Sequence, residues 1–347
     1  MKLVVAGPTG ANEHNGGVFH PEQAGRIFSV MDGVRSLGLD DEIYFPPTPK
    51  ATMIELSRVH SVAYLEELEA FCRQGGGDLD PDTYACEDSW IAARRGAGAG
   101  LAAIGALEEG KGDVAFVPIR PPGHHAERDR AMGFCLLNNV AIAAAALTAK
   151  GNRVLIVDWD VHHGNGTQAI FWDDPSVLYV STHQSPLFPG TGLAGEVGGN
   201  DAMGLTINAP LPAGTTGDVI RTAIDEMARP TIEAFRPDWV LVSCGFDAHE
   251  ADPLGQMSLS SGDFADLALL VREFAPATGR LALFLEGGYN QRALAASTAA
   301  TLGALLGVNT NSVGPTWGGR GMAELHQVQD DRSRAIDLAL SDSRREQ

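Results

Sequence analysis

The sequence has 347 residues, 44% of them hydrophobic and 20% charged, which is ample for a large core in a soluble globular protein. Its 44 acidic against 25 basic residues give a net charge of −19, which argues against nucleic acid and anionic membranes as partners and mildly favours a cationic substrate. Cys72, Cys86, Cys135 and Cys244 form no C-x-x-C pair, and Cys135 and Cys244 sit in apolar surroundings. This is reduced, cytoplasmic usage. The opening MKLVVAGPTG is too broken by glycine for a signal peptide, and no run of about 18 apolar residues suggests a membrane span.

Leu3 to Ala6 reads as a first strand and Asn12 to His20 as a loop. Pro21-Glu22 opens a helix running to Leu37, since Pro is placed well at a helix start. A short extended piece at 43–45 precedes helical patterns near 50–57 and 61–73. The stretch 75–82 reads as an acidic loop. An Ala- and Gly-rich helix follows from Glu87 to Glu109, with small residues suited to close packing on a sheet. Val114 to Pro118 is a strand that empties into the irregular segment Arg120 to Asn139, and Val140 to Ala149 is a helix. Strands at 153–158, 177–182, 205–208, 239–244 and 281–285 then alternate with helices at about 167–172, 217–235, 262–274 and 291–306. Such alternation predicts a parallel α/β sheet covered on both faces. One catalytic domain is expected over 1–310, with a polar, partly helical tail over 311–347. An amphipathic stretch near 322–340 in that tail suits docking or a homo-oligomer contact.

The chemistry collects at the carboxyl ends of the predicted strands, where ligands bind in such sheets. These ends carry His124 and His125; Asp158, Asp160 and His162; His183; Asp247; and Glu286 to Tyr289. Taken singly, each residue has an ordinary alternative as a cap, a turn or packing. The D-x-D-x-H run differs, because alternation along a buried strand stacks Asp158, Asp160 and His162 on one face. That cluster is costly without a cation. Oxygen and nitrogen donors without Cys suit zinc and also Fe or Mn. Asp160, His162 and Asp247 are the expected ligands, with His124 or His125 as the base. Asp158 and Asn165 are the expected orienting partners of those two histidines. Tyr289 is placed to donate to an oxyanion, with Gly287 and Gly288 letting it approach. His163 points to the opposite face and is read as structural.

RPPGHHA (120–126), GFC-x-x-NN (133–139), DWDVHHGNGT (158–167), FPGTG (188–192), GFDAH-x-x-DPLG (245–255) and LEGGYN (285–290) together resemble the histone deacetylase and acetylpolyamine amidohydrolase family. The likeness runs in order from about residue 14 to 306, and HHGNGT, with Asn165, is similar to the class II branch and its bacterial relatives. It implies the three-layer arginase–deacetylase fold, a central, mostly parallel eight-stranded sheet with helices on both faces. It implies one zinc per chain on Asp160, His162 and Asp247, with His124 and His125 as the catalytic pair and Tyr289 as the transition-state tyrosine. Phe134 and Phe188 match the channel walls, beside Gly133, Leu254 and Gly288. A structural potassium is implied at Asp158, Asp160, His162, Ser181 and Thr182.

The implied activity is hydrolysis of an N-acyl amide, either an acyl-lysine peptide or a small molecule. Leu254 stands where a polyamine-specific relative carries Glu, which leans away from acetylpolyamines; an acetylpolyamine amidohydrolase is nevertheless the alternative. Two other readings fit less well. An arginase-like enzyme with two manganese ions lacks support from the His124–His125 pair and the Tyr289 motif. An inactive acyl-lysine-binding module is at odds with the intact set of catalytic residues.

Overall fold

Apolar runs with no polar face are stable only when covered on both sides. In the computed structural model, which describes residues 1–7, 13–17, 19–310 and 313–345, eight strands, the central ones largely apolar, join one sheet. They are β1 (Leu3–Val5), β2 (Ile43–Tyr44), β5 (Val114–Val117), β6 (Val154–Asp158), β7 (Val177–Gln184), β8 (Thr206–Leu211), β9 (Trp239–Cys244) and β10 (Leu281–Leu285). Two further strands, β3 (Gly76–Asp78) and β4 (Tyr84–Cys86), form a separate antiparallel pair. The sheet order is β2-β1-β5-β10-β9-β6-β7-β8, and every neighbouring pair is parallel.

Alternation along each strand sorts the core into two layers. Leu155, Val157, Val240, Val242, Leu283 and Leu285 face one cluster; Val154, Ile156, Trp239, Leu241, Ala282 and Phe284 face the other. Helices cover both faces, which gives the three-layer arrangement. The small residues of the helix Ser89–Glu108 let it lie close: a side chain at Gly100 would run into Phe284.

Several expectations need correction. The helix expected from Pro21 begins only at Gly25, because Glu22 turns inward to meet Arg26 and Arg120. The acidic loop at 75–82 is largely the β3–β4 hairpin. Asp80 closes its turn by accepting the N–H groups of Asp82 (3.1 Å) and Thr83 (2.7 Å). Three-residue strands containing glycine carry too little pattern to be read. β7 continues two residues further than expected, so His183 lies inside the strand rather than beyond it. The helix expected over 217–235 is interrupted by a π-helical turn, Ala223–Ala228. Pro230, which lacks an N–H, stands just past it.

The tail forms the helix Met322–Arg345, with Leu325 and Val328 buried. Arg332 donates to the carbonyls of Thr206 (2.7 Å) and Gly204 (2.8 Å), so the helix docks beside β8, an edge that would otherwise be open. Asn12 and Val18 of the expected loop, and Asn311, Ser312, Glu346 and Gln347 of the tail, lie outside the described residues. No described helix is long and apolar enough to cross a membrane.

Candidate active site

The four strands whose ends carry the candidate residues, β5, β10, β9 and β6, are consecutive in the sheet. Residues 124 to 289 therefore converge although they are far apart in the chain. β6 itself stops at Asp158, so strand alternation does not place Asp160 and His162. Hydrogen bonds do. Asp158 Oδ1 accepts the Asp160 N–H (3.1 Å), Asp160 Oδ1 accepts the His162 N–H (2.9 Å), and Asp247 Oδ1 accepts the Val161 N–H (2.9 Å).

Asp160, His162 and Asp247 offer one ligand atom each, all within 4.8 Å of one another. His162 Nδ1 is 3.2 Å from Asp160 and 3.1 Å from Asp247. Gly245 and Gly287 make room for the two carboxylates, since a side chain at either glycine would collide with them. Burial and then the Asp160 charge push Asp247 up to about 7. Against burial, hydrogen bonds to Asp160 and Asp247 carry His162 up to about 10. Two buried carboxylates facing one imidazole form a donor set that could hold a metal ion, and its oxygen and nitrogen atoms suit a divalent one.

The histidine pair has unequal partners. His124 Nδ1 lies 3.0 Å from Asp158 Oδ2, which also accepts the Tyr179 hydroxyl at 3.1 Å. His125 Nδ1 lies 2.8 Å from Asn165 Oδ1, at the start of the helix Asn165–Ile170. The two rings are 4.0 Å apart. Burial opposes charge on both. Asp158 and Asp160 overcome it at His124 and hold that group up at about 10. At His125 burial, reinforced by cationic His124 and His162, holds the group well below 6.5. Glu286 braces the pair from behind, its Oε2 accepting the N–H groups of Gly123 (2.6 Å) and His124 (3.1 Å).

Above this floor is a cavity of about 250 Å³, with His125, His162 and Tyr289 in its lining and Asp82, Leu187 and Leu254 along its walls. Phe134 forms one side, fixed by an N–H to the Thr83 hydroxyl (3.0 Å) and by edge contacts with His20 (4.8 Å) and Tyr289 (5.8 Å). Its φ of 67° is unusual for a residue with a side chain and is the kind of strain found at functional sites. Gly133 packs so close to His125 that a side chain there would strike the ring. Phe188 meets His125 edge-on at 5.1 Å. Gly288 is not among the lining residues; its carbonyl accepts from Arg26 Nε (2.7 Å). His163 donates and accepts within the scaffold, 2.8 Å from Thr191 and 3.0 Å from Gln168, under the loop that carries Phe188.

Residues 158, 160, 162, 181 and 182 lie together on β6, its continuation and β7, with Asp158 in register with Ser181. The Thr182 hydroxyl is buried without a hydrogen-bond partner, and Ser181 Oγ is 2.9 Å from His183 Nδ1. The orphaned hydroxyl is compatible with a bound cation.

One group escaped the sequence reading. Glu22 receives Arg120 through Nε (2.8 Å) and Nη2 (2.6 Å) and Arg26 through Nη1 (3.0 Å). Arg26 also donates to the Glu286 and Gly288 carbonyls and lies over the Tyr289 ring at 5.0 Å. Asp252 holds the same loop from the other side, accepting the N–H groups of Tyr289 (2.6 Å) and Asn290 (3.2 Å) while its second oxygen takes Leu254 (3.0 Å). The available signal was a Glu22 and Arg26 pair four residues apart at the start of the expected helix.

Residues 20–305 match the model of the histone deacetylase domain. The chain is 40% identical over 276 residues to the histone deacetylase-like amidohydrolase of Pseudomonas aeruginosa, covering 78% of this chain and 72% of that protein. It is 36% identical over 307 residues to a probable deacetylase of Archaeoglobus fulgidus, covering 87% and 85%. Among solved structures, the HDA15 HD domain superposes with a TM-score of 0.88 at 32% identity, over 98% of this chain and 99% of that one.

Proposed function

The chain belongs to the histone deacetylase family and is a hydrolytic deacetylase, and on that premise we propose that it is a zinc enzyme cleaving the amide of an N-acylated amine with a slim aliphatic stem, acyl-lysine above all. The observation that carries this reading is the meeting of the Asp160–His162–Asp247 set, a neutral histidine and a phenol in one aromatic-walled cavity. Asp160, His162 and Asp247 would hold the zinc, which when bound polarises a carbonyl and acidifies water.

This chain's own residues do the rest. Phe134 and Phe188 grip the stem and exclude solvent around it, while Leu254 presents an apolar wall to it. His125, neutral through burial, takes a proton from the attacking water at Nε2, its Nδ1 being occupied by Asn165. His124, kept cationic by Asp158, stabilises negative charge developing beside it. Tyr289, whose phenol burial holds well above its usual range even against Arg26, remains protonated and donates to the oxyanion. As the carbon–nitrogen bond breaks, the proton held by His125 passes to the departing amine. Asp158, Ser181 and the oxygens around them would hold a structural potassium.

The test sets an acetyl-lysine peptide, acetylputrescine and acetylspermidine side by side, with metal analysis of the purified protein. About one zinc per chain and preference for the peptide are expected. Two manganese ions, or no hydrolysis of any of the three by zinc-loaded protein, would refute the proposal.

A further inference from the structure

His124 has a carboxylate against its Nδ1, whereas His125 has only an amide. An amide can turn either its oxygen or its NH2 toward an imidazole, and the two orientations select opposite tautomers. With oxygen inward, Nδ1 carries the proton and Nε2 keeps its lone pair. With NH2 inward the reverse holds, and Nε2 can no longer accept a proton. Asn165 has a neighbour that decides between them. Its Nδ2 donates to Glu127 Oε1 at 2.8 Å, and more weakly to the His125 carbonyl (3.4 Å) and Met132 Sδ (3.3 Å). An ionised carboxylate only accepts, so only the NH2 end of the amide can face it.

We propose that Glu127 is a positioning residue for deacetylation: through Asn165 it holds His125 as the Nδ1–H tautomer, with Nε2 open for proton transfer. Glu127 is itself well anchored. Its N–H donates to the Arg130 carbonyl (2.9 Å), and its carbonyl lies 2.8 Å from His60 Nδ1. It is half-buried. Spacing the charge one amide away also separates orientation from basicity. Asp158 meets His124 directly, whereas Glu127 reaches His125 only through the Asn165 amide.

This inference rests on His125 being the base, and two independent readouts test it. In zinc-loaded protein assayed with an acetyl-lysine peptide, Glu127→Gln frees the amide to turn and lowers kcat about 10-fold with KM within about twofold. Asn165→Asp sets two carboxylates against each other and lowers kcat at least as far. The double variant removes the repulsion between the two carboxylates, so its loss in kcat is smaller than the product of the two single losses. The second readout is the ring 15N shifts of His125, which report the tautomer without turnover: Nδ1–H in the wild type and a mixture in Glu127→Gln. Unchanged kcat in Glu127→Gln, strictly multiplicative losses in the double variant, or an unchanged tautomer would overturn the proposal. A wild-type protein that deacetylates nothing sinks the functional reading, while the ring shifts still decide the role of Glu127.

Discussion

Glu22 offers the most quantitative test of how the site is held. Its carboxylate is buried and accepts three guanidinium N–H groups from Arg120 and Arg26. Burial raises its pKa, but the two arginines outweigh burial and bring it from 4.5 down to about 2. At about 1.4 kcal/mol per unit, that shift corresponds to about 3 kcal/mol of stability. The folded-state pKa is depressed, so this contribution is complete above the unfolded value near 4.5 and is lost as pH falls toward 2. Replacing Glu22 by Gln removes it and leaves two buried guanidinium groups without that counter-charge, a loss of about 3–5 kcal/mol. Urea unfolding of wild type and Glu22→Gln should show that gap at pH 7, narrowing by about 1 kcal/mol at pH 3.5 as wild-type Glu22 begins to lose its advantage. A gap below about 1 kcal/mol at pH 7, or one independent of pH, would show that Arg26 and Arg120 find other partners at no cost. The variant should also slow turnover, because Arg26 supports the Gly288 carbonyl beside Tyr289.

Three further outcomes are expected. Tyr289→Phe keeps fold and metal but loses about 10²–10³ in kcat, and near-normal turnover would rule out its oxyanion role. Asp160→Ala loses the metal outright in elemental analysis, since two of the three donors cannot hold it; retained stoichiometric zinc would remove Asp160 from the ligand set. Leu254→Glu adds a carboxylate to the wall that also carries Asp82, and it should shift the kcat/KM ratio from acetyl-lysine peptide toward acetylspermidine by about 10-fold. An unchanged ratio would mean that Leu254 does not contact the distal part of the substrate.

Much of the fold was legible because the central buried parallel strands are largely apolar. β9 and β10 fall where their apolar runs do, over 239–244 and 281–285. The order of the strands was not legible. β10 and β9 insert between β5 and β6, which brings Tyr289 and Asp247 between His124 and Asp160, and only long-range pairing carries that information. Features built from single side chains were also hidden. The β3–β4 hairpin, the π turn near Pro230 and the Glu22 cluster each depend on one or two residues meeting distant partners, which periodicity cannot register. Asp160 and His162 lie together, but not by strand alternation: the strand ends at Asp158, and carboxylate-to-amide hydrogen bonds continue its work.

The histidine pair shows most clearly where local pattern stops. His124 and His125 are adjacent in the chain, with ring centroids 4.0 Å apart, and buried to nearly the same degree, so nothing local distinguishes them. Asp158 and Asn165 could be named as their partners from chemistry, but not assigned. The assignment depends on where the partners sit: Asp158 at the end of β6 meets His124, and Asn165 at the start of the following helix meets His125. Exchanging those partners would exchange the charges, making His125 the cation and His124 the neutral base. The difference between two identical side chains is therefore set by the six residues of chain between Asp158 and Asn165, and by Glu127, which determines which way the second partner faces.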